Sequence, residues 1–282
     1  MKTRILIDST TDLTEAVRQK TTVVPLTIHF GAEEYLDGVD ISGRQFYEKL
    51  VESEVLPTTS QATPFTFQKI FQEIVDAGDS VVAITLSSNL SGTYQSACIA
   101  AEDFPGRVFV IDSRNVSIAA GVLAEYAVRL AESGMEAEKI AEAVTKKREE
   151  VQLVAMLDTL EYLKKGGRIS RTAAVAGSLL SIKPVVTLKD GGVTVMGKAR
   201  GSRQANNMLI QEIEKVGGVD FSEPVLLGYT GLDDSLLQKY IKDSEALWKD
   251  NCETLPTTLI GSVVGTYAGP GAVGVAFFAN KK

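Results

Sequence analysis

Hydroxyl side chains are concentrated in three short clusters toward the N-terminal end of the chain. Residues 8–12 read Asp-Ser-Thr-Thr-Asp, residues 57–61 read Pro-Thr-Thr-Ser-Gln, and residues 86–94 read Leu-Ser-Ser-Asn-Leu-Ser-Gly-Thr-Tyr. The first and third clusters follow predicted strands, and the second precedes a predicted helix. Hydroxyl groups and the free backbone amides at a helix start bind anions well. The clusters therefore predict a site for an anionic group.

The third cluster contains Ser91-Gly92-Thr93, which favours a bound ligand over a simple helix cap. Serine and threonine are the preferred N-cap residues, and capping is the alternative interpretation of each hydroxyl. A cap uses one hydroxyl, however, whereas this run offers several. Gly92 would let a ligand approach the backbone closely. Thr59 and Ser60 in the second cluster are candidates of the same kind.

Histidine and cysteine are too scarce for several kinds of chemistry. His29, Cys98 and Cys252 are the only residues of these two types in the sequence, and four zinc ligands cannot be drawn from them. A serine or cysteine hydrolase would need His29 as its base, yet this residue lies in an apolar predicted strand, where a structural role is expected. Two widely separated cysteines form no disulfide framework and fit a reducing cytoplasm.

Two glycine-rich segments match nucleotide-binding motifs but lack their context. Residues 269–274 match G-x-G-x-x-G, but they lead into a predicted strand and not into a helix. Residues 192–198 imitate a phosphate-binding loop, but Ala199 stands where a magnesium-binding Ser or Thr is needed, and β-branched residues predict a strand. We therefore predict no metal and no other cofactor.

Charge is unevenly distributed along the chain. The 29 Lys and Arg residues against 36 Asp and Glu residues give a net charge of −7, which argues against binding of nucleic acid. Residues 164–203 nevertheless contain nine basic side chains and one acidic side chain. This basic segment includes Arg168, Arg200 and Arg203. It indicates either a solvated surface or a face for an anionic ligand or an acidic partner.

The first half of the chain alternates predicted strands and helices. Apolar, β-branched runs predict strands over residues 4–8, 23–30, 80–86 and 108–112. Helices are predicted after an N-cap at Thr63 and over residues 117–133 and 136–150. This alternation is typical of a parallel sheet covered on both faces. Ligands of such sheets bind beyond the carboxyl ends of the strands.

The second half mixes a hairpin with long helices, which predicts a separate α+β domain. The hairpin is predicted over residues 183–199, helices over 202–216 and 233–250, and strands over 224–229 and 273–278. The domains are predicted as residues 1–152 and 153–282. The chain has no apolar stretch of about 18 residues, so no membrane span is predicted. The N-terminus has no apolar run of signal-peptide length, and a cytoplasmic location is expected.

Seven short segments, taken in order, resemble the DegV family of bacterial lipid-binding proteins. They are residues 8–13, 59–61, 86–94, 111–113, 165–170, 182–184 and 269–271. Each segment alone is weak evidence, but their order and spacing hold from residue 6 to residue 278. The resemblance implies an N-terminal α/β domain, a C-terminal α+β domain and one long-chain fatty acid bound between them.

The resemblance also implies a carrier and not an enzyme. In the family the carrier presents the acyl carboxylate to a separate fatty acid kinase of the dihydroxyacetone-kinase type, which supplies the ATP chemistry. By position, Thr59 and Ser91 correspond to the hydroxyls that hold the carboxylate. Arg168 and Arg200 correspond to arginines near the portal or the partner surface, and Arg203 is expected beside them.

Tyr267 departs from the pattern of the family, which often has histidine two residues before the Gly-x-Gly. Both side chains can donate a hydrogen bond, but tyrosine carries no positive charge at neutral pH. We therefore expect Tyr267 to belong to a less cationic site for the head group.

Two other functions stay open on the residues alone. Ser91 could be the nucleophile of a small acyl transferase or hydrolase, with a lysine such as Lys165 as its base, because His29 lies in a different strand. The chain could also carry another apolar acid or an isoprenoid.

Overall fold

The computed structural model of the chain describes residues 2–169, 182–252 and 254–280. The strands in these residues are β1 Thr3–Asp8, β2 Thr21–Val24, β3 Thr27–Phe30, β4 Glu33–Leu36, β5 Thr58–Ser60, β6 Ser80–Thr85, β7 Val108–Asp112, β8 Val151–Met156, β9 Ile182–Lys189, β10 Gly192–Arg200, β11 Leu226–Tyr229, β12 Thr257–Leu259 and β13 Val273–Phe278. The α-helices are α1 Glu15–Arg18, α2 Gly43–Glu52, α3 Pro64–Asp76, α4 Thr93–Ala101, α5 Ser117–Glu132, α6 Ala137–Lys147, α7 Glu161–Lys165, α8 Gly201–Lys215, α9 Ser235–Asp243, α10 Glu245–Trp248 and α11 Ser262–Ala268.

The N-terminal region is built on a parallel sheet, as the alternation of strands and helices predicts. The strand order is β2-β1-β6-β7, and all three neighbouring pairs run parallel. Every residue of β6 is buried, which is typical of a strand whose two faces are both covered. The carboxyl ends of β1 and β6 therefore lie at the same edge of the sheet, and the first and third hydroxyl clusters follow them there.

The prediction of one strand over residues 23–30 is wrong. Strand β2 ends at Val24, and β3 begins at Thr27 in a separate antiparallel sheet of order β4-β3-β5. Pro25 lies between them, and proline has no N–H to continue a ladder of hydrogen bonds. The small sheet places Thr59 of β5 opposite Ile28 of β3.

The C-terminal region contains a mixed sheet of order β10-β9-β8-β13-β11-β12. The predicted hairpin forms one edge of this sheet as β9 and β10. The helix predicted over residues 233–250 is divided, because α9 ends at Asp243 and α10 begins at Glu245. Ser244 between them donates its hydroxyl proton to the Tyr240 carbonyl at 2.7 Å, a local bond that competes with continued helix.

Helix α5 joins the two regions. It packs against β1 and β6 on one side of the molecule and against β8, β11 and β13 of the mixed sheet. Gly121 of α5 permits this close packing, since a Cβ there would lie 2.0 Å from the Asp12 carbonyl oxygen. The predicted boundary near residue 152 falls at the start of β8, and the division into two domains stays a prediction. Within the described ranges, no helix is long and apolar enough to cross a membrane.

Candidate ligand-binding site

A cavity of about 410 Å³ is lined by residues of both regions. Most of the side chains in its wall are aliphatic. They are Leu26, Leu86, Leu90, Val116 and Ile118 of the N-terminal region, and Leu153, Ala155, Leu157, Leu163, Val186, Leu188, Val193, Ile260, Val263, Val264, Ala268, Ala272 and Val273 of the C-terminal region. A wall of this kind favours an apolar ligand, because burial removes apolar surface from water.

The polar side chains of the wall include two groups that differ in burial. Thr59, Ser91, Arg168 and Tyr267 are half-buried, and we call them the outer cluster. Thr10 and Ser117 are only 1% and 5% exposed, and we call them the inner pair. The cavity thus has one polar group within reach of solvent and one that is enclosed by protein.

The outer cluster is assembled from four elements or their ends. Thr59 of β5 and Tyr267 of α11 place their hydroxyl oxygens 2.7 Å apart. Ser91 precedes α4, and its Oγ lies 2.9 Å from Thr93 Oγ1 and accepts the Thr93 N–H at 3.3 Å. Because each of these hydroxyls has a neutral partner, each can rotate and donate to an anion.

Arg168 supplies the positive charge of the outer cluster. Its guanidinium carbon lies 4.6 Å from the centre of the Tyr267 ring, in a stacking arrangement that arginine forms readily. Nε donates to the Leu90 carbonyl at 3.3 Å, and Nη1 donates to the Gly166 carbonyl at 2.7 Å. These contacts hold the cation beside three hydroxyls, and together they can bind a carboxylate.

Gly92 and Gln61 border the outer cluster. A Cβ on Gly92 would overlap the side-chain amide of Gln61, which donates to Ser96 Oγ at 3.0 Å. Gly92 therefore gives room to Gln61 as well as exposing backbone to the cavity. Both residues line the wall.

The inner pair is bonded to two buried carboxylates. Thr10 Oγ1 donates to Asp8 Oδ1 at 2.6 Å, and Ser117 Oγ donates to Asp12 Oδ2 at 2.6 Å. Ser117 has a φ of 58°, a left-handed conformation that is uncommon outside glycine. Its N–H donates to the Thr10 carbonyl at 3.0 Å, so the two residues hold each other in place.

Burial changes the titration of these carboxyl groups. It raises the pKa of Asp12 to about 7, and it also raises the pKa of Asp8 and of Asp37. Asp12 Oδ1 accepts the Gly261 N–H at 2.7 Å, which connects the end of the first cluster to the residue before α11. The inner pair is therefore bonded to two acidic groups, and a third, Asp37, acts on Asp12.

The comparison with known families agrees with this architecture along the chain. The family model described as "Uncharacterised protein, DegV family" matches residues 2–280. The chain belongs to the DegV family. A DegV domain-containing protein of Caldanaerobacter subterraneus subsp. tengcongensis is 36% identical to it over 281 residues, which cover 98% of each chain.

Solved structures of DegV family proteins share the fold. A DegV family protein from Thermus thermophilus, described for its fatty acid binding, is 31% identical, with a TM-score of 0.88 over 99% of this chain and 100% of that one. A stearic acid-binding protein from Eubacterium ventriosum is 28% identical, with a TM-score of 0.86 over 98% of each chain. The predicted combination of a parallel-sheet region and a mixed-sheet region is confirmed.

The predicted site residues of this DegV family member fall into three groups. Six of them line the cavity, namely Thr59, Ser60, Ser91, Gly92, Arg168 and Tyr267. Thr93 is buried behind Ser91 and does not belong to the wall. Arg200 and Arg203 are exposed and lie outside the wall formed by the described residues. The sequence also predicts that Ser170 caps a further helix, and this residue lies outside the described residues.

Sequence reasoning missed Gln61, Thr10 and Ser117 as wall residues. Gln61 and Thr10 belong to clusters that the sequence singled out, so their spacing was a usable signal. Ser117 had no such signal, because its position depends on a left-handed turn and on Asp12. His29 is a strand residue with partners, as expected, since its Nε2 lies 2.8 Å from Ser60 Oγ.

Proposed function

We propose that this chain binds a long-chain fatty acid, with the acyl chain in the cavity and the carboxylate at the outer cluster. The observation that supports this most directly is the aliphatic cavity bordered by three hydroxyls and one arginine. The Thermus thermophilus and Eubacterium ventriosum relatives, described as binding fatty acid and stearic acid, support the same ligand class.

The cavity and the outer cluster contribute differently to the free energy of binding. Burying about 14 methylenes of a palmitate-sized chain is worth on the order of 11 kcal/mol, before the cost of ordering the chain. A hydrogen bond to a charged group contributes about 1.5–3 kcal/mol, and much of that offsets removal of the carboxylate from water. The acyl chain therefore supplies most of the affinity, and the outer cluster sets its orientation.

Native mass spectrometry of the purified protein tests the proposal, followed by identification of the lipid extracted from it. We expect a protein species with one bound fatty acid. Ser91→Ala should weaken binding about five- to tenfold in a competitive titration, because one donor to the carboxylate is lost, and it should leave the fold intact. A ligand-free spectrum after gentle purification, with no uptake of added palmitate, would contradict the proposal.

We further propose that the protein acts in the cytoplasm and presents the carboxylate to a separate fatty acid kinase of the dihydroxyacetone-kinase type. Arg200 and Arg203 are exposed on and just after β10, within the basic segment, and they suit an acidic partner surface. With such a kinase and ATP, Arg200→Ala should slow formation of acyl phosphate while palmitate affinity stays unchanged. Equal rates for both proteins would count against a docking role for Arg200.

Hydrolysis or acyl transfer at Ser91 is the weaker alternative. The bonded partners of Ser91 Oγ in the described structure are the Oγ1 and N–H of Thr93, and His29 is paired with Ser60 and Glu34 instead. Among the described residues, no base is hydrogen-bonded to Ser91 Oγ that could activate it. Turnover of a generic ester that Ser91→Ala abolishes would favour the enzyme. Extraction of an isoprenoid or another apolar acid would change the ligand class.

A further inference from the structure

The inner pair is a polar part of the cavity that the proposed function does not use. Thr10 and Ser117 are buried, whereas the outer cluster is half-buried. Both groups line the same cavity, so a fatty acid whose carboxylate binds at the outer cluster would bring methylenes, and not its head group, to the inner pair. A fully hydrocarbon ligand requires no oxygen atoms at this place.

The hydroxyl protons of the inner pair are already donated to protein acceptors. Asp8 accepts Thr10 Oγ1 at 2.6 Å, the Thr10 N–H at 3.0 Å and the Leu86 N–H at 2.7 Å. Asp12 accepts Ser117 Oγ at 2.6 Å and the Gly261 N–H at 2.7 Å. A hydroxyl has one proton and two lone pairs, so while Asp8 and Asp12 are ionised each member of the inner pair offers the cavity an acceptor and no donor.

An acceptor-only group selects the chemistry of its ligand. It binds a neutral donor such as an alcohol, and it repels a carboxylate, which is itself only an acceptor. The two aspartates behind the inner pair strengthen this repulsion when they are ionised. The arrangement thus keeps the head group at the outer cluster and accommodates a hydroxyl at the inner end.

We propose that the inner pair is a subsite for a hydroxyl on the distal part of the acyl chain, so that the protein accepts hydroxylated fatty acids. This inference depends on the proposed function, because it assumes that the carboxylate occupies the outer cluster. The ligand hydroxyl donates its proton to Thr10 Oγ1 or Ser117 Oγ. Without such an acceptor, burying an alcohol in an aliphatic cavity costs affinity.

A competitive titration against the wild-type protein tests the subsite. The probes are stearate and three isomers of hydroxystearate, with the hydroxyl at the third, the twelfth or the terminal carbon. We expect one of the two distal isomers to bind at least as tightly as stearate, and the isomer with the hydroxyl near the carboxylate to bind about tenfold more weakly. If stearate binds and both distal isomers are weakened tenfold or more, the subsite is wrong and the proposed function stands.

Variants then locate the acceptor. Thr10→Val combined with Ser117→Ala should weaken the favoured hydroxystearate about tenfold relative to stearate, while Thr10→Ser should keep the wild-type ratio. If the double variant does not fold, the affinities of Thr10→Ser and of the wild-type protein for hydroxystearate relative to stearate still test the subsite. Thr187→Val is the control, since Thr187 lines the cavity on β9 and donates to the Leu153 carbonyl.

A loss of hydroxystearate affinity that is confined to Thr187→Val would place the acceptor on β9 and overturn the assignment to the inner pair. Failure of stearate and of every hydroxystearate to bind would overturn the proposed function together with the subsite. Tight binding of hydroxystearate without binding of stearate would support the subsite most strongly.

Discussion

The outer cluster and the inner pair present the same functional group, a Ser or Thr hydroxyl, in opposite chemical states. In the outer cluster, Thr59 is paired with the neutral phenol of Tyr267, so its proton remains available to an anion. In the inner pair, Thr10 is bonded to the buried carboxylate of Asp8. The difference teaches that the partner of a hydroxyl, and not the hydroxyl itself, decides whether it attracts or repels a carboxylate.

Charge reinforces this contrast between the two groups. Arg168 lies beside the hydroxyls of the outer cluster, whereas the inner pair lies against Asp8 and Asp12. A Cβ on Gly261 would be 3.2 Å from Asp12 Oδ1 and 3.9 Å from Asp37 Oδ2, so a third carboxyl group lies close by. In the proposed complex, a fatty carboxylate would be attracted to the outer cluster and, while Asp8 and Asp12 are ionised, repelled by the inner pair, which would orient the ligand in the cavity.

The largest expected effect concerns the ionisation of Asp12, which lies against the inner pair. Burial raises the pKa of Asp12 to about 7, above the value of about 3.9 in an unfolded chain. The folded state therefore holds the proton more tightly, and the free energy of unfolding falls as pH rises from about 4 to about 7. Between pH 5 and pH 8 this group should remove roughly 3 kcal/mol of stability. In Asp12→Asn this loss should be absent.

Urea unfolding of both proteins at pH 5 and pH 8 measures this difference. Asp37 and Arg18, the other charged groups that act on Asp12, are unchanged in Asp12→Asn, so their own titration cancels in the comparison. Asp233→Asn is the control, because hydrogen bonds from Ser235 lower the pKa of this exposed carboxyl group and it is ionised throughout the range. Equal loss of stability in wild type and Asp12→Asn would show that Asp12 does not carry the buried proton.

The second-largest effect is expected when substitution of Arg168 removes the positive charge from the outer cluster. Arg168→Leu should weaken palmitate binding about tenfold, because a carboxylate then loses a charge-assisted hydrogen bond and its nearest cation. Arg168→Lys keeps the charge but loses the planar stacking on Tyr267, and it should retain part of the affinity. Fluorescence competition with palmitate measures all three proteins. If Arg168→Leu binds as tightly as wild type, the carboxylate does not occupy the outer cluster.

The sequence predicted the outer cluster, but it did not predict the inner pair. The strands β7 and β13 were predicted with the bounds that the structure has, because short apolar β-branched runs give a strong local signal. The outer cluster was predicted because its hydroxyls stand in short runs and resemble a family pattern. Ser117 was not, because its role depends on a positive φ and on a carboxylate 105 residues away in the chain. Such long-range partners are invisible to local spacing.

The third-largest effect is expected when a titratable cation is added to the outer cluster. Tyr267→His restores the residue that the family often has, and an imidazole becomes positively charged below a pH of about 6.5. We expect palmitate affinity of this variant to rise about three- to fivefold between pH 8 and pH 6, relative to wild type over the same range. Isothermal titration at both pH values measures the change. Tyr267→Phe is the matched control, since it keeps the ring beneath Arg168 and adds no charge.

The smallest expected effect compares two arginines of the basic segment. Arg168 lies in the cavity wall, whereas Arg203 is exposed on α8. The hydrogen bond from Lys239 is the main cause that lowers the pKa of Asp243, and the charge of Arg203 adds to it. Exposed charges beyond about 10 Å are screened at physiological salt, so Arg203→Ala should leave palmitate affinity within twofold of wild type. The same titration at low and high salt checks this. A fivefold loss at high salt, where screening removes distant interactions, would place Arg203 in direct contact with the ligand and extend the outer cluster beyond its four residues.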